Sequence, residues 1–404
     1  MRIHKEVIKG SAILFAGFGL YNFLHFIFQF FMARYLTVTE YSLLASVFVI
    51  VYISSVFSES IQNFVVTYVG REEEESKLKN LVNRLIKKMT KFAILVIACY
   101  LVLAIWLSRI LQIEYFTLSL GALILAFSIL LPITRGVMQG KKKFFKLSGN
   151  MISEALIKLV VGLGFALLGF GVRGAILGVI IASTISFLIS IFQISWINKT
   201  TEKTITEKVS YSKFLPAFIL TSVVVVFYSL DVWIARIFFE PEISGAYALA
   251  SILGKVLFWV TIPVSKAMLS ISSNSKQDKP KNVFKTALII LMIICIGTLI
   301  FFFLFPNFLI NFFSGKNIES ATKILFYEGV SFSLIAISNL ILLYKLSINK
   351  IKSYWIMVIP LITEILLLVF FSSNLITFSV AFLISSMFFL LISLIFYLIN
   401  RKTE

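Results

Sequence analysis

The chain has 404 residues, of which 59% are hydrophobic and only 14% charged, with a mean hydropathy of +0.98. A soluble domain keeps roughly a quarter of its residues charged, so a water-soluble fold is excluded. The apolar residues run in stretches of about 20 without strict alternation, which excludes a membrane β-barrel as well, and the net charge of +18 has to be explained within those limits.

In hydrocarbon a backbone group finds no water, so each crossing segment has to close its own hydrogen bonds, and helices must do the spanning. In chain order, apolar runs between charged or turn-rich breaks predict twelve helices: 10–33, 42–69, 92–111, 115–138, 148–170, 174–197, 214–239, 245–270, 284–305, 319–346, 354–371 and 374–399. The first run is too long for a signal-peptide core and has no small-residue cleavage site, so it is expected to remain as helix one. Cys99 and Cys295 both lie within spans. They support neither a disulfide framework nor a metal site and read as small core residues.

The basic residues test this count independently, because loops on the cytoplasmic side carry most of the Lys and Arg near a membrane. Of the 37 basic residues, 28 fall in alternate loops, Arg135 and Lys345 being counted there, and 6 in the opposite set. Lys158, Lys255 and Lys266 remain inside spans. The pattern predicts a multi-pass protein of the cytoplasmic (inner) membrane with both termini cytoplasmic, and it accounts for the net charge without nucleic acid as a partner. Anionic lipid headgroups fit better. The run Glu72 to Glu75 beside Lys77, Lys79 and Arg84 reads as a solvated amphipathic helix in a loop.

An internal repeat emerges from two matches. Ala33-Arg34-Tyr35-Leu36 with Glu40-Tyr41-Ser42 resembles Ala235-Arg236-Ile237-Phe238 with Glu242 and Gly245-Ala246-Tyr247, about 202 residues later. Ile152-Ser153-Glu154-Ala155-Leu156 likewise resembles Ile362-Thr363-Glu364-Ile365-Leu366 at an offset of 210. Six helices per half return the chain to its starting side, so the halves share one orientation, as in parallel-repeat transporters. The expected fold is all-α: two parallel six-helix lobes around a central cavity, 1–199 and 214–404, joined by a polar cytoplasmic linker over 200–213.

Polar residues inside spans are costly, about 2.5 to 3.5 kcal/mol for a charge at the bilayer centre, and therefore informative. Asn22, His25 and Gln29 recur at helical spacing, as do Ser55, Glu59 and Gln62, then Asn150, Glu154 and Lys158, and then Tyr247, Ser251 and Lys255. Ser229 and Asp231 lie on helix seven, and Glu328 and Glu364 on helices ten and eleven. Lining one aqueous cavity, Asn22, His25, Gln62, Lys158 and Lys255 would meet the substrate, and Glu59, Glu154 or Asp231 would bind a coupling cation. The duller alternative stays open: Glu154 and Lys158 neutralise each other one turn apart, and Asp231 and Lys255 pair across a hairpin. His25 alone reads as a hydrogen-bonded packing residue, and Arg34 and Arg236 as anchors at equivalent outer turns.

Three signatures carry a family resemblance: Ala33 through Tyr41, Arg135 through Phe145 (Arg-Gly-Val-Met-Gln-Gly-Lys-Lys-Lys-Phe-Phe), and Asp231 followed by Gly245-Ala246-Tyr247-Ala248-Leu249-Ala250. Together with the topology they resemble the polysaccharide exporter and O-antigen flippase family of the multidrug/oligosaccharidyl-lipid/polysaccharide (MOP) exporter superfamily. Ser42 departs from the family's usual glycine, and no motif identifies a sugar. The resemblance implies passage of an undecaprenyl-pyrophosphate-linked oligosaccharide from the inner to the outer leaflet by alternating access. Lys158 and Lys255 would then contact the diphosphate, and Glu59 and Asp231 would couple an ion. No cofactor is expected beyond a coupling cation, Na⁺ or H⁺. The functional unit is expected to be a monomer that associates with a polysaccharide polymerase, if with any protein.

The nearest rival within the superfamily is a cation-coupled multidrug antiporter of the MATE type. An enzyme is disfavoured, since Asp231 and Asp278 are the only aspartates and no P-loop is present. A scaffold without transport would not need polar stripes in mid-membrane.

Overall fold

The computed structural model describes residues 2–71, 75–195, 215–274, 279–348 and 353–399. The expected linker 200–213 lies outside them, as do most of the basic residues of the loops around it. Fourteen α-helices form among the described residues: α1 (Arg2–Tyr35), α2 (Val38–Arg71), α3 (Glu75–Ile110), α4 (Tyr115–Ser119), α5 (Gly121–Gly140), α6 (Phe144–Phe165), α7 (Gly171–Gln193), α8 (Leu215–Phe238), α9 (Pro241–Asn274), α10 (Lys279–Leu304), α11 (Pro306–Ser314), α12 (Glu319–Ser347), α13 (Ile359–Phe370) and α14 (Leu375–Ile399). A π turn, Ala166–Phe170, joins α6 to α7, and a 3₁₀ segment, Tyr354–Val358, leads into α13.

Ten segments are long and apolar enough to cross a membrane, among them Phe144–Gln193, which holds both α6 and α7. Separating those two and adding the shorter apolar segment Tyr354–Phe370 accounts for the twelve expected spans. The reversal between α6 and α7 depends on glycine: Gly169 and Gly171 have φ of 92° and 51°, where a side chain would strain the backbone. The short α11 lies between α10 and α12, where no separate element was expected, and α4 is the start of the expected span 115–138, set off from α5 by a break at Leu120.

Two compact units emerge, one of residues 1–36 and 50–214 and the other of 37–49 and 215–404. In the first, α6 packs on α7 and α1, and α3 on α5. Small residues set the closest approach: a Cβ on Gly178 of α7 would collide with the backbone of Gly162 on α6, and one on Gly136 of α5 would lie 2.7 Å from Val65 Cβ of α2. Such small-residue crossings are how membrane helices gain contact where lipid is as apolar as the interface. In the second unit, α9, α12 and α14 pack side by side, with Phe227, Phe332, Phe382 and Phe389 among the buried aromatic side chains.

The first turns of α2 pack within the second unit. Ser42 Oγ lies 2.7 Å from Ser244 Oγ, the Arg236 guanidinium donates to Ser42 at 3.2 Å, and Trp233 Nε1 donates to the Ser46 carbonyl at 2.8 Å. Ser42 and Ser244 stand 202 residues apart, the offset of the outer-turn repeat, so equivalent residues of the two halves touch each other here. Arg236 is thus an anchor for hydroxyl groups, while Arg34 lies over the Phe30 ring.

Three expectations are corrected. Cys99 is exposed on α3, because its helix face points away from the protein, whereas Cys295 is buried as expected. Arg135, assigned to a basic loop, is buried inside α5, which runs five residues beyond it. Lys345 is likewise buried in the last turn of α12, over the Tyr397 ring.

Candidate functional site: two buried charge clusters

The first unit holds one cluster on α1, α5, α6 and α7. Arg135 Nε donates to Asn150 Oδ1 at 2.9 Å, and its Nη2 donates to Glu154 Oε2 at 2.7 Å and to Ser186 Oγ at 3.1 Å. Ser183 Oγ completes the Glu154 carboxylate from α7 at 3.0 Å, and Asn150 Nδ2 donates to the Ser186 carbonyl at 2.8 Å. Asn150 and Glu154 are four residues apart, so they share a face of α6, and Ser183 and Ser186 share a face of α7. One guanidinium thereby ties three helices.

One turn further along α6, Lys158 Nζ lies 2.6 Å from His25 Nδ1 of α1 and 4.3 Å from the centre of the Phe28 ring. With Lys158 as an ammonium, which can only donate, Nδ1 accepts and the imidazole proton sits on Nε2. That Nε2 is buried without a hydrogen-bond partner among the described residues. Glu154 bonds to Arg135, while Lys158, one turn along the same helix and within the field of Glu154, meets His25. The cluster sets two basic side chains, Arg135 and Lys158, against the one acidic side chain of Glu154.

The second unit holds its own cluster on α8, α9, α12, α13 and α14. Asp231 accepts from Ser251 Oγ at 2.7 Å, Tyr247 Oη at 3.2 Å and Lys255 Nζ at 3.4 Å. The hairpin pair expected of Asp231 and Lys255 is thus present. Glu328 and Glu364, both fully buried, lie within the fields of Asp231 and Lys255. Neither carboxyl has a hydrogen-bond partner of ordinary geometry among the described residues, and Ser379 Oγ shares that condition. Among the described residues, Glu328 and Glu364 thus share the electrostatic surroundings of the Asp231–Lys255 pair.

The remaining candidates lie apart. Gln62 donates to Gln139 Oε1 across α2 and α5 at 2.7 Å. Asn22 on α1 and Glu59 on α2 are exposed. Sequence reasoning missed Arg135, Ser183 and Ser186, and gave no role to Glu328 or Glu364. Arg135 was hidden by proximity to the Lys141-Lys142-Lys143 turn, and serines that satisfy a charge look like any others on an apolar helix.

A family model described as "Polysaccharide biosynthesis protein" matches residues 31–323. The chain belongs to this family. No curated protein matches it. Among solved structures, the lipid II flippase MurJ in an inward closed conformation is 15% identical with a TM-score of 0.72, covering 95% of this chain and 87% of that one. An inward-facing multidrug resistance MATE family transporter of the MOP superfamily is 14% identical with a TM-score of 0.71, covering 95% and 96%. A MOP superfamily transporter from Pyrococcus furiosus, with a binding pocket of reverse polarity, is 14% identical with a TM-score of 0.62, covering 99% of this chain and 95% of that one. This member of the polysaccharide biosynthesis family is accordingly a multi-pass membrane protein with the fold of flippases and transporters.

Proposed function

We propose that the protein moves an undecaprenyl-pyrophosphate-linked oligosaccharide from the inner to the outer leaflet of the cytoplasmic membrane by alternating access, and performs no covalent chemistry itself. The observation that carries this reading is the cluster of Arg135, Lys158, His25 and Glu154, rich in basic side chains, on membrane-crossing helices, in a chain whose family is named for polysaccharide biosynthesis. A sugar diphosphate cannot enter hydrocarbon unaided, whereas its isoprenoid tail can stay in lipid. A cationic site inside the protein supplies what the bilayer lacks. Lys158, which meets His25 and the Phe28 ring, is the better headgroup contact; Lys255 is engaged by Asp231.

The coupling cation, Na⁺ or H⁺, belongs with Asp231, joined in this reading by Glu328 and Glu364. Glu154 is committed to Arg135 and so serves to hold the guanidinium in place. A second reading, a cation-coupled multidrug antiporter, draws on the acidic excess of the second unit.

One experiment separates the two. Flipping of a fluorescent undecaprenyl-pyrophosphate oligosaccharide is followed in proteoliposomes for the wild type, Lys158→Ala and Lys255→Ala, with efflux of an organic-cation dye measured in parallel. Lipid movement that falls at least tenfold in Lys158→Ala supports the flippase. Dye efflux driven by an ion gradient, without lipid movement, overturns it in favour of the antiporter.

A further inference from the structure

The helix α3 is much longer than its span. Its outward-facing apolar side chains run from Phe92 to Ile110, about 27 Å at 1.5 Å per residue, which already matches a hydrocarbon core of about 30 Å. Residues 75–91 therefore stand outside the hydrocarbon, on the side that bears the basic loops. This extension has two faces. Leu78, Val82 and Leu85, at spacings of four and three, are buried in one apolar cluster with Val65, Val69, Val137, Met138 and Leu147. The opposite face carries Arg84, Lys87, Lys88 and Lys91, at positions i, i+3, i+4 and i+7, all exposed.

The direction of that basic stripe decides its use. At 3.6 residues per turn, Arg84, Lys88 and Lys91 lie on the same face as Leu95, Val102 and Trp106. Those three are exposed apolar residues of the crossing part and face the lipid. The stripe thus continues the lipid-facing side of α3 out of the bilayer. It looks over the surrounding headgroups. Lys91 directly precedes Phe92, and Arg84 stands only about 10 Å higher along the axis, within the combined reach of the headgroup layer and a long basic side chain.

We infer that the Arg84, Lys87, Lys88 and Lys91 face of α3 is a binding surface for anionic phospholipids of the leaflet on its side of the membrane. Charge complementarity and continuity with the lipid-facing stripe argue for this occupant, and juxtamembrane basic residues add roughly fivefold preference each for an anionic surface. The buried opposite face holds α3 upright on the first unit, so the stripe is presented without a fold-dependent rearrangement. The surface is separate from both buried clusters, and the inference does not depend on the proposed substrate.

The test compares full-length protein in nanodiscs of phosphatidylcholine alone with nanodiscs of equal parts phosphatidylcholine and phosphatidylglycerol. Lipids retained after mild detergent extraction are identified by native mass spectrometry, and the melting temperature is recorded. The wild type should retain phosphatidylglycerol selectively and melt higher in its presence, both effects weakening with added NaCl. The variant R84Q/K87Q/K88Q/K91Q should lose at least about tenfold of that selectivity while melting as the wild type does in phosphatidylcholine. A variant with K87R, K88R and K91R should keep the selectivity. Equal retention of both lipids by the wild type would overturn the inference, as would full selectivity in the glutamine variant. Either result would leave the stripe to an acidic protein partner.

Discussion

At the scale of single residues, the two halves of the chain solve the same problem differently. Glu154 and Glu364 are equivalent under the 210-residue repeat, yet Glu154 is bonded by Arg135 and Ser183 while Glu364 has no hydrogen-bond partner among the described residues. Arg135 has Lys345 at the same offset, but that ammonium lies over Tyr397. Breaking one partner of a buried pair leaves a charge uncompensated, which costs about 3 kcal/mol or more, whereas replacing both by apolar side chains restores much of it. Glu154→Gln should therefore lower the melting temperature in detergent by many degrees, and Arg135→Met with Glu154→Leu should recover most of the loss. If the double variant is the less stable of the two, the pair is contributing net stability and the argument fails. The same cycle applies at Asp231 and Lys255. Lys255→Met alone leaves the buried Asp231 without the ammonium it is paired with. Adding Asp231→Asn should return at least about 1 kcal/mol of coupling energy, measured by reversible unfolding.

At the scale of elements, small residues decide where helices cross. The α6–α7 approach requires glycine at 178, because a Cβ there meets the Gly162 backbone, which cannot rotate aside as a side chain can. Gly164, two residues along α6, has nothing within 4 Å of an added Cβ. Gly178→Ala should thus separate α6 from α7 and lower thermal stability by about 2 kcal/mol, in the range of other overpacked sites. Gly164→Ala should be neutral or slightly favourable to the helix. Equal melting temperatures for the two variants would show that the crossing is looser than its geometry implies.

At the scale of the whole molecule, the outer-turn contact and the orientation are the features to probe. Ser42 and Ser244 are equivalent in the repeat and touch each other. In a background of C99S/C295S, the pair S42C/S244C should form a disulfide on mild oxidation, since side-chain atoms already in contact satisfy the reach of such a bond. Both serines belong to the second unit, so this cross-link, made within one unit, should leave lipid flipping unchanged under the proposed alternating access. Flipping that stops on cross-linking and recovers on reduction would mean that the first turns of α2 have to move against the rest of the second unit. Orientation is read in the same background. Lys142→Cys, exposed at the α5–α6 turn, should react with an impermeant maleimide only after the membrane is permeabilised, and Lys323→Cys should react from outside in intact cells. The reverse pattern would invert the topology.

Composition and hydropathy by themselves determined that the chain crosses a membrane as helices, how many crossings to expect and where they fall. This follows because hydrocarbon admits no unpaired backbone group, so span length and polarity are imposed locally on each segment. The repeat and the short signatures at Arg34, Arg135 and Asp231 were also legible, and they led to the right family. The partnership of the buried charges was not. Asn150, Glu154 and Lys158 were visible as one polar stripe on α6, but whether Glu154 turns to its own helix or to Arg135 on α5 depends on which faces the tertiary packing brings together. His25 meeting Lys158, and Ser42 meeting Ser244, join residues 133 and 202 positions apart in the chain. Periodicity assigns a residue to a face of its helix. Only the packed bundle decides which face lies opposite, because several pairings satisfy a buried charge equally well until the shapes of the neighbouring helices exclude all but one.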